Sequence, residues 1–365
     1  MVHLKVFIVV GTRPEIIKMA PVVHECEKRK IKHFLLHTGQ HYSDKMSNAF
    51  FEDLSLRAPD KNISIGSGSH SEQTARALVG IEKELIAYQP DVVLVQGDTN
   101  AVLSAAIAAV KLNIPVGHVE AGLRSYDTRM PEEHNRRLTD HASKYLFAPT
   151  EESARILEEE NVWGEVYVTG NTVIDTLEKV VSEIQKDAIS RKTPEKEDYA
   201  LLTLHRVENV DNKGILTGLI EGLSSLDQVI LFPAHPRTVK RLNQFNLLNK
   251  INDENRIRII EPVGYREFIR LIINSKYILT DSGGIQEEVT APSIDKRAFV
   301  LRDSTERPEA VESGHVTVVG TDPKRFPATI REVLKAKWVS GAVTPYGDGH
   351  SAEKIVDILE DRVLI

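Results

Sequence analysis

Residues 279–288 read LTDSGGIQEE: an apolar run stops at Asp281, a Ser-Gly-Gly turn follows, and a helix-like pattern begins that carries Glu287 and Glu288 in its first turn. Such a turn suits a phosphate, because free backbone N–H groups and the helix dipole favour an anion there. Neighbouring helical side chains diverge by ~100°, so the two glutamates cannot both face one ligand. GTRPEIIK at 11–18 is a second turn of this kind, with Pro14 at a helix start. Arg13 and Lys18 either flank an anion there or are solvated charges. QGDTN at 96–100 sets Asp98 directly after an apolar run. An aspartate in that place is either an N-cap, worth roughly 1 kcal/mol, or available for proton transfer.

HVEAGLRSYDTRMPEEHNRR at 118–137 ends another apolar run on Glu120. Pro131 then starts a helix with Glu132 in its first turn and Arg136 four residues on, spaced for an exposed pair on one face. A carboxylate closing a buried strand is harder to ascribe to solvation, which makes Glu120 the stronger candidate. TLHRVEN and FPAHPRT each place a histidine at a strand end, His205 and His235, beside Arg206 and Arg237. These are either hydrogen-bonded structural histidines or a basic site for an anionic ligand. RDSTERPEA adds Arg302 and Arg307, whose guanidinium groups suit bidentate contacts to phosphate or carboxylate.

Something must hold these residues at strand ends. Short β-branched apolar runs recur at 5–10, 33–38, 91–96, 115–120, 145–150 and 166–170, with helical patterns between them. After the charged stretch QKDAISRKTPEKED (185–198) they resume at 199–205, 229–235, 257–263, 277–281, 297–301 and 315–320. Runs that are continuously apolar, not alternating, point to strands buried on both faces, hence parallel sheets covered by helices. The expected fold class is therefore α/β, two doubly wound Rossmann-like domains facing a central cleft. Ligands of such sheets bind beyond the carboxyl ends of the strands, which is where the unusual polar residues gather in both halves. The expected domains are 1–172, joined by the amphipathic helix 351–365, and 173–350.

Composition is ordinary for a soluble globular protein. The 365 residues carry a formal charge of −7, with 27% charged and 41% hydrophobic residues. Nothing in that balance suggests a nucleic-acid surface, and no run approaches the roughly 18 apolar residues that span a membrane. The single cysteine, Cys26, excludes an internal disulfide and fits a reducing cytoplasm. The apolar start VFIVV reads as a first strand, too short for a signal segment. No metal-ligand spacing, Walker loop, G-x-G-x-x-G or G-x-S-x-G motif is present, so neither a metal nor a cofactor is expected.

GTRPEIIKMAP, TGQHYSDKM, QGDTNAVLSA, HVEAGLRSYDTRMPEEHNRRLTDH, VTGNTVID, TLHRVEN, LTDSGGIQEE and LRDSTERPEAVESG together resemble the non-hydrolysing UDP-N-acetylglucosamine 2-epimerases. They run in order from residue 11 to about 322, and the set is far more specific than any member. The resemblance implies a GT-B architecture, a homodimer, and reversible conversion of UDP-GlcNAc to UDP-ManNAc for surface polysaccharide. It assigns Asp98, Glu120, Glu132 and His205 to catalysis, with Arg13, Lys18 and Arg136 beside the sugar. Phe268, Ser282, Gly283, Gly284, Glu288 and Arg307 match the family's uridine and diphosphate positions, Glu288 being turned toward the ribose. Gln40, His41, Arg206 and His235 lie in motifs similar to those that bind a second UDP-GlcNAc as an allosteric activator. VTAPSIDKRAF departs from the family: Val289 and Thr290 are additional, and Asp295 and Arg297 replace an expected Gly and Pro. That departure bears on the geometry after the phosphate turn.

The C2 proton of an acetamido sugar is not next to a carbonyl. A redox route would create one through a nicotinamide, whose fingerprint is missing. Elimination of UDP to 2-acetamidoglucal and re-addition asks instead for cations at the diphosphate and carboxylates at C2, both of which the motifs offer. Competing expectations are a C2 epimerase of a UDP-2,3-diacetamido-uronic acid, a GT-B glycosyltransferase, and a non-catalytic UDP-sugar sensor.

Overall fold

The computed structural model describes residues 4–39, 51–190, 198–254, 256–338 and 343–363. Gln40, His41, the 191–197 part of the charged stretch and the last two residues of the predicted final helix lie outside them.

Two parallel sheets carry the fold. The first, among the described residues, has the order β3-β2-β1-β4-β5-β6-β7. Its strands are β1 (Lys5–Val10), β2 (Lys32–His37), β3 (Lys61–Asn62), β4 (Val92–Gln96), β5 (Val116–Val119), β6 (Tyr145–Ala148) and β7 (Glu165–Val168). The second has the order β10-β9-β8-β11-β12-β13. It contains β8 (Tyr199–Thr203), β9 (Val229–Pro233), β10 (Ile257–Ile260), β11 (Ile278–Thr280), β12 (Ala298–Val300) and β13 (Val316–Val318). Every pairing is parallel. The expectation of two doubly wound parallel sheets is met, with β3 as an unread addition. In both sheets the strand order reverses beside the first strand, between β1 and β4 and between β8 and β11, and these reversals are where such sheets bind ligands.

The apolar runs form strands because helices cover both faces. β4 is buried along its whole length, and β1 along all but its first residue. One core joins Phe7, Val93, Val95, Ile81 and Val102; a separate one joins Leu202, Ile220, Phe232, Leu279 and Phe299. The chain divides into one unit of Met1–Thr176 with Tyr346–Ile365 and another of Leu177–Pro345. The stretch read as a polar linker begins as helix: Thr172–Ser190 continues through residues 185–190, its apolar positions recurring at helical spacing.

Two local expectations need correction. Thr99, not Asp98, caps the helix Asn100–Lys111, its hydroxyl accepting from the Val102 N–H at 3.4 Å. Glu287 and Glu288 close the helix Gly283–Glu288 and do not occupy its first turn, because that helix is only six residues long. Beyond it, Asp295 adopts φ 44°, a left-handed backbone that favours glycine, as expected there from the resemblance. Arg297 donates to the Val333 and Ala336 carbonyls at 3.0 and 2.7 Å and lies over the Trp338 ring, so it is built into the end of the helix Phe326–Lys335.

Candidate active site

In the first unit the switch point between β1 and β4 gathers four of the predicted residues into two ion pairs. Arg13 opens the helix Arg13–Lys28, and Lys18, one turn on, is buried and paired with Glu120. Glu120 follows β5 at φ 69°, an uncommon conformation for a side chain of its size, and accepts from Gln96 Nε2 at 2.6 Å. Asp98 follows β4 after Gly97, whose φ of 84° turns the chain out of the sheet. Its carboxylate pairs with Arg136 of the helix Pro131–Ala142, and its carbonyl accepts from Asn135 at 2.9 Å.

This geometry overturns the expected Glu132–Arg136 surface pair. Arg136 reaches inward to Asp98 and lies 3.3 Å from the buried Glu133, three residues back on the same helix, while Glu132 stays half-buried in the first turn. Glu133 in turn accepts from the Ser125 N–H at 2.8 Å and the Ser125 hydroxyl at 2.9 Å, anchoring the loop before the helix. Asp98 and Glu120, at the ends of β4 and β5, are thus each paired with a cation from another element.

The second unit repeats the arrangement at β8 and β11. Asp281 is fully buried and accepts from the backbone N–H groups of His205 and Arg206 and from Asn209 Nδ2 at 3.2 Å. The His205 ring, half exposed, sits with Nδ1 3.2 Å from it. Burial pushes the Asp281 carboxyl up, but the His205 contact and the backbone donors outweigh it and hold the group below its ordinary range. His205, His235 and Phe268 line one cavity of about 360 Å³ with Thr203, Pro233, Arg237 and Val263. Arg206 lies 3.9 Å from Glu306, which the bidentate Arg302 holds at about 2 against the effect of burial. Ser282, Gly283 and Gly284 begin the short helix with partial exposure, and Glu288 is buried at its end. Arg307 pairs with the fully buried Glu287, so that glutamate is structural.

Several residues escaped the sequence reading. Glu15 is buried behind Arg13, Gln96 holds Glu120, and His118 with Asp140 forms a buried pair beneath both catalytic candidates. Polar residues inside apolar runs, Gln96 and His118, were the available signal. Among the described residues no cluster of His, Cys, Asp or Glu suited to a metal ion occurs, and no helix is long and apolar enough to cross a membrane.

The family model for UDP-N-acetylglucosamine 2-epimerase matches residues 24–360. A UDP-N-acetylglucosamine 2-epimerase of Methanococcus maripaludis is 46% identical, over 97% of this chain and 98% of that protein. The crystal structure of Methanocaldococcus jannaschii UDP-GlcNAc 2-epimerase in complex with UDP-GlcNAc and UDP superposes with TM-score 0.86 at 46% identity, covering 98% of this chain and all of that one. A UDP-2,3-diacetamido-2,3-dideoxy-D-glucuronate 2-epimerase of Pseudomonas aeruginosa is 35% identical over 98% of this chain and 99% of its own length. Its two Rossmann-ordered sheets, the GT-B fold of these neighbours, and the match along nearly its whole length place the chain in the UDP-N-acetylglucosamine 2-epimerase family of isomerases.

Proposed function

We propose that this chain interconverts UDP-GlcNAc and UDP-ManNAc by elimination and re-addition. The C2 proton passes to a carboxylate of the set Asp98, Glu120 and Glu132 as the C1–O bond breaks, giving 2-acetamidoglucal and UDP. A proton then returns to the opposite face of C2 while UDP re-adds at C1, so atoms and charge balance over the cycle. The observation that carries this reading is the pair of carboxylates, Asp98 and Glu120, standing at adjacent strand ends beside a switch point, each matched with a cation. Carboxylates there have the charge and placement to move a proton, and the cations Arg13, Lys18 and Arg136 favour the anionic leaving group.

In the second unit we assign Phe268 to the uracil, Ser282, Gly283, Gly284 and Arg307 to the diphosphate, Glu288 to the ribose and His205 to the sugar side. The glycines support this. A Cβ at Gly283 or Gly284 would meet a neighbour only at 3.9 Å, so the chain itself does not demand glycine there, whereas a phosphate approaching the backbone does. Arg206 and His235 are proposed to serve a second UDP-GlcNAc, and the proposed working unit is a homodimer. The product would serve as a precursor of surface polysaccharide.

Proton NMR of UDP-GlcNAc in deuterium oxide tests the reading. Deuterium at C2 together with the manno epimer is the expected result; unchanged substrate refutes it. The P. aeruginosa relative supports a second reading, in which the sugar is a 2,3-diacetamido-uronic acid. Epimerisation of that nucleotide alone in the same experiment would favour it. Asp98→Asn or Glu120→Gln is expected to lower kcat by ~10²-fold or more while UDP still binds, as measured by steady-state kinetics and calorimetry. Near-wild-type turnover in either variant removes that residue from the chemistry.

A further inference from the structure

His118 of β5 and Asp140 of the helix Pro131–Ala142 are both fully buried. The imidazole Nδ1 lies 2.6 Å from Asp140 Oδ1, and Nε2 lies 2.8 Å from the Gly97 carbonyl. The other Asp140 oxygen accepts from Arg124 at 2.8 Å and from the Gly122 N–H at 3.3 Å. A carbonyl can only accept, so Nε2 carries a hydrogen; a carboxylate that already takes a guanidinium accepts from Nδ1 as well. Each ring nitrogen therefore donates, and the contacts run Gly97 carbonyl, His118, Asp140, Gly122 N–H.

The two ends of that chain of contacts are significant. Gly97 precedes Asp98, and Gly122 lies two residues after Glu120. Both turns are in the left-handed region, Gly97 and Gly122 at φ 84° and Glu120 at φ 69°. A glutamate held there costs on the order of 1 kcal/mol or more and persists only when its surroundings fix it. The helix that supplies Asp140 also carries Glu132, and its Arg136 and Asn135 reach Asp98. Arg124 extends the network to Glu160 through contacts of 3.1 and 2.7 Å.

We propose that His118 and Asp140 are positioning residues of the epimerisation: their buried pair locks the turns bearing Asp98 and Glu120 to the helix bearing Glu132. The inference rests on the reading of Asp98 and Glu120 as the reacting carboxylates. Losing His118 leaves Asp140 Oδ1 buried without its donor, losing Asp140 leaves His118 Nδ1 without its acceptor, and either loss frees the Gly97 turn and the strained Glu120 turn to shift; displacement by about 1 Å costs on the order of 10²-fold in rate.

The test compares full-length His118→Asn, Asp98→Asn and the double variant, with thermal melts confirming that each is folded at the assay temperature. The expected result is that His118→Asn lowers kcat ~10²-fold with KM and UDP affinity within about threefold. Because His118 acts through the turn of Asp98, adding its change to Asp98→Asn is expected to cost less than about threefold more, the non-additivity of residues that work as a unit. A folded His118→Asn with wild-type kcat, or losses that multiply in the double variant, overturns the proposal. Active Asp98→Asn overturns instead the reading on which it rests. Nitrogen-15 NMR of the wild-type chain gives an answer that does not depend on any variant folding. Both His118 ring nitrogens are expected to be protonated, and a bare Nδ1 overturns the inference.

Discussion

Glu15 stands fully buried in the first turn of the helix Arg13–Lys28, where its Oε2 accepts the Gly11 N–H at 2.5 Å. Burial pushes its carboxyl from the ordinary 4.5 up to about 7, opposed by hydrogen bonds from Thr99, Gly11 and Thr12. The consequence for stability has a definite sign. Between these two values the folded chain holds a proton that the unfolded chain has released. The stabilisation is thus complete below about 4.5 and is lost as pH rises through about 7. The size is on the order of 3 kcal/mol. Glu15→Gln keeps the shape and removes the titration, so its stability relative to wild type is expected to grow between pH 5 and 8, as measured by urea unfolding. A pH-independent difference would show that Glu15 does not titrate in this range. Nothing in GTRPEIIK marked Glu15 apart from its neighbours. Spacing showed that Arg13 and Lys18 stand on one end of a helix, but the setting of Glu15 beside Thr99 and the capture of Lys18 by Glu120 depend on residues 84 and 102 positions away.

Elements were more legible than contacts, because a strand buried on both faces has to be apolar throughout and that composition is visible without partners. Twelve of the strands lie within or beside such runs, whereas β3, two residues long, has no pattern to show. Glycines mark what the runs do not. Gly122, just after Glu120, has φ 84°, and a Cβ there would come within 2.2 Å of the Ser153 carbonyl oxygen, which is backbone and cannot swing aside. Gly283 opens its helix with ordinary φ and open space. The two substitutions to alanine therefore separate fold from ligand. Gly122→Ala is expected to destabilise the chain by roughly 2 kcal/mol or more from backbone strain and the clash, seen as a lower denaturant midpoint. Gly283→Ala is expected to leave that midpoint within about 1 kcal/mol of wild type and to weaken UDP binding about tenfold by calorimetry, since a methyl group would occupy the space assigned to phosphate. Full UDP affinity in Gly283→Ala would remove this turn from the nucleotide site.

At the scale of the molecule, each unit has its own core, and the last helix, Ser351–Val363, belongs to the first. Its amphipathic pattern was plain in the sequence, but an apolar stripe identifies a face and not what covers it. The partners are now specific. Ile355, Val356 and Leu359 are fully buried, the Ala352 N–H donates to Asp175 at 2.8 Å, and Arg29 of the helix Arg13–Lys28 bonds Asp357 and Glu360 at 2.5 and 2.8 Å. Those ion pairs are partly exposed and contribute little; the three aliphatic side chains contribute roughly 1.5–3 kcal/mol each. Their sum is comparable with the whole stability of a domain, roughly 5–15 kcal/mol. Removal of residues 346–365 is therefore expected to unfold the first unit and leave the second intact. Hydrogen exchange would show it directly, with amides of β1 and β4 losing protection while those of β8 and β11 keep theirs. Leu359→Ala is the milder form, expected to cost about 2–5 kcal/mol and to lower protection in the first sheet alone. Continued protection of β1 and β4 after truncation would mean that the helix is dispensable to the sheet that carries Asp98 and Glu120.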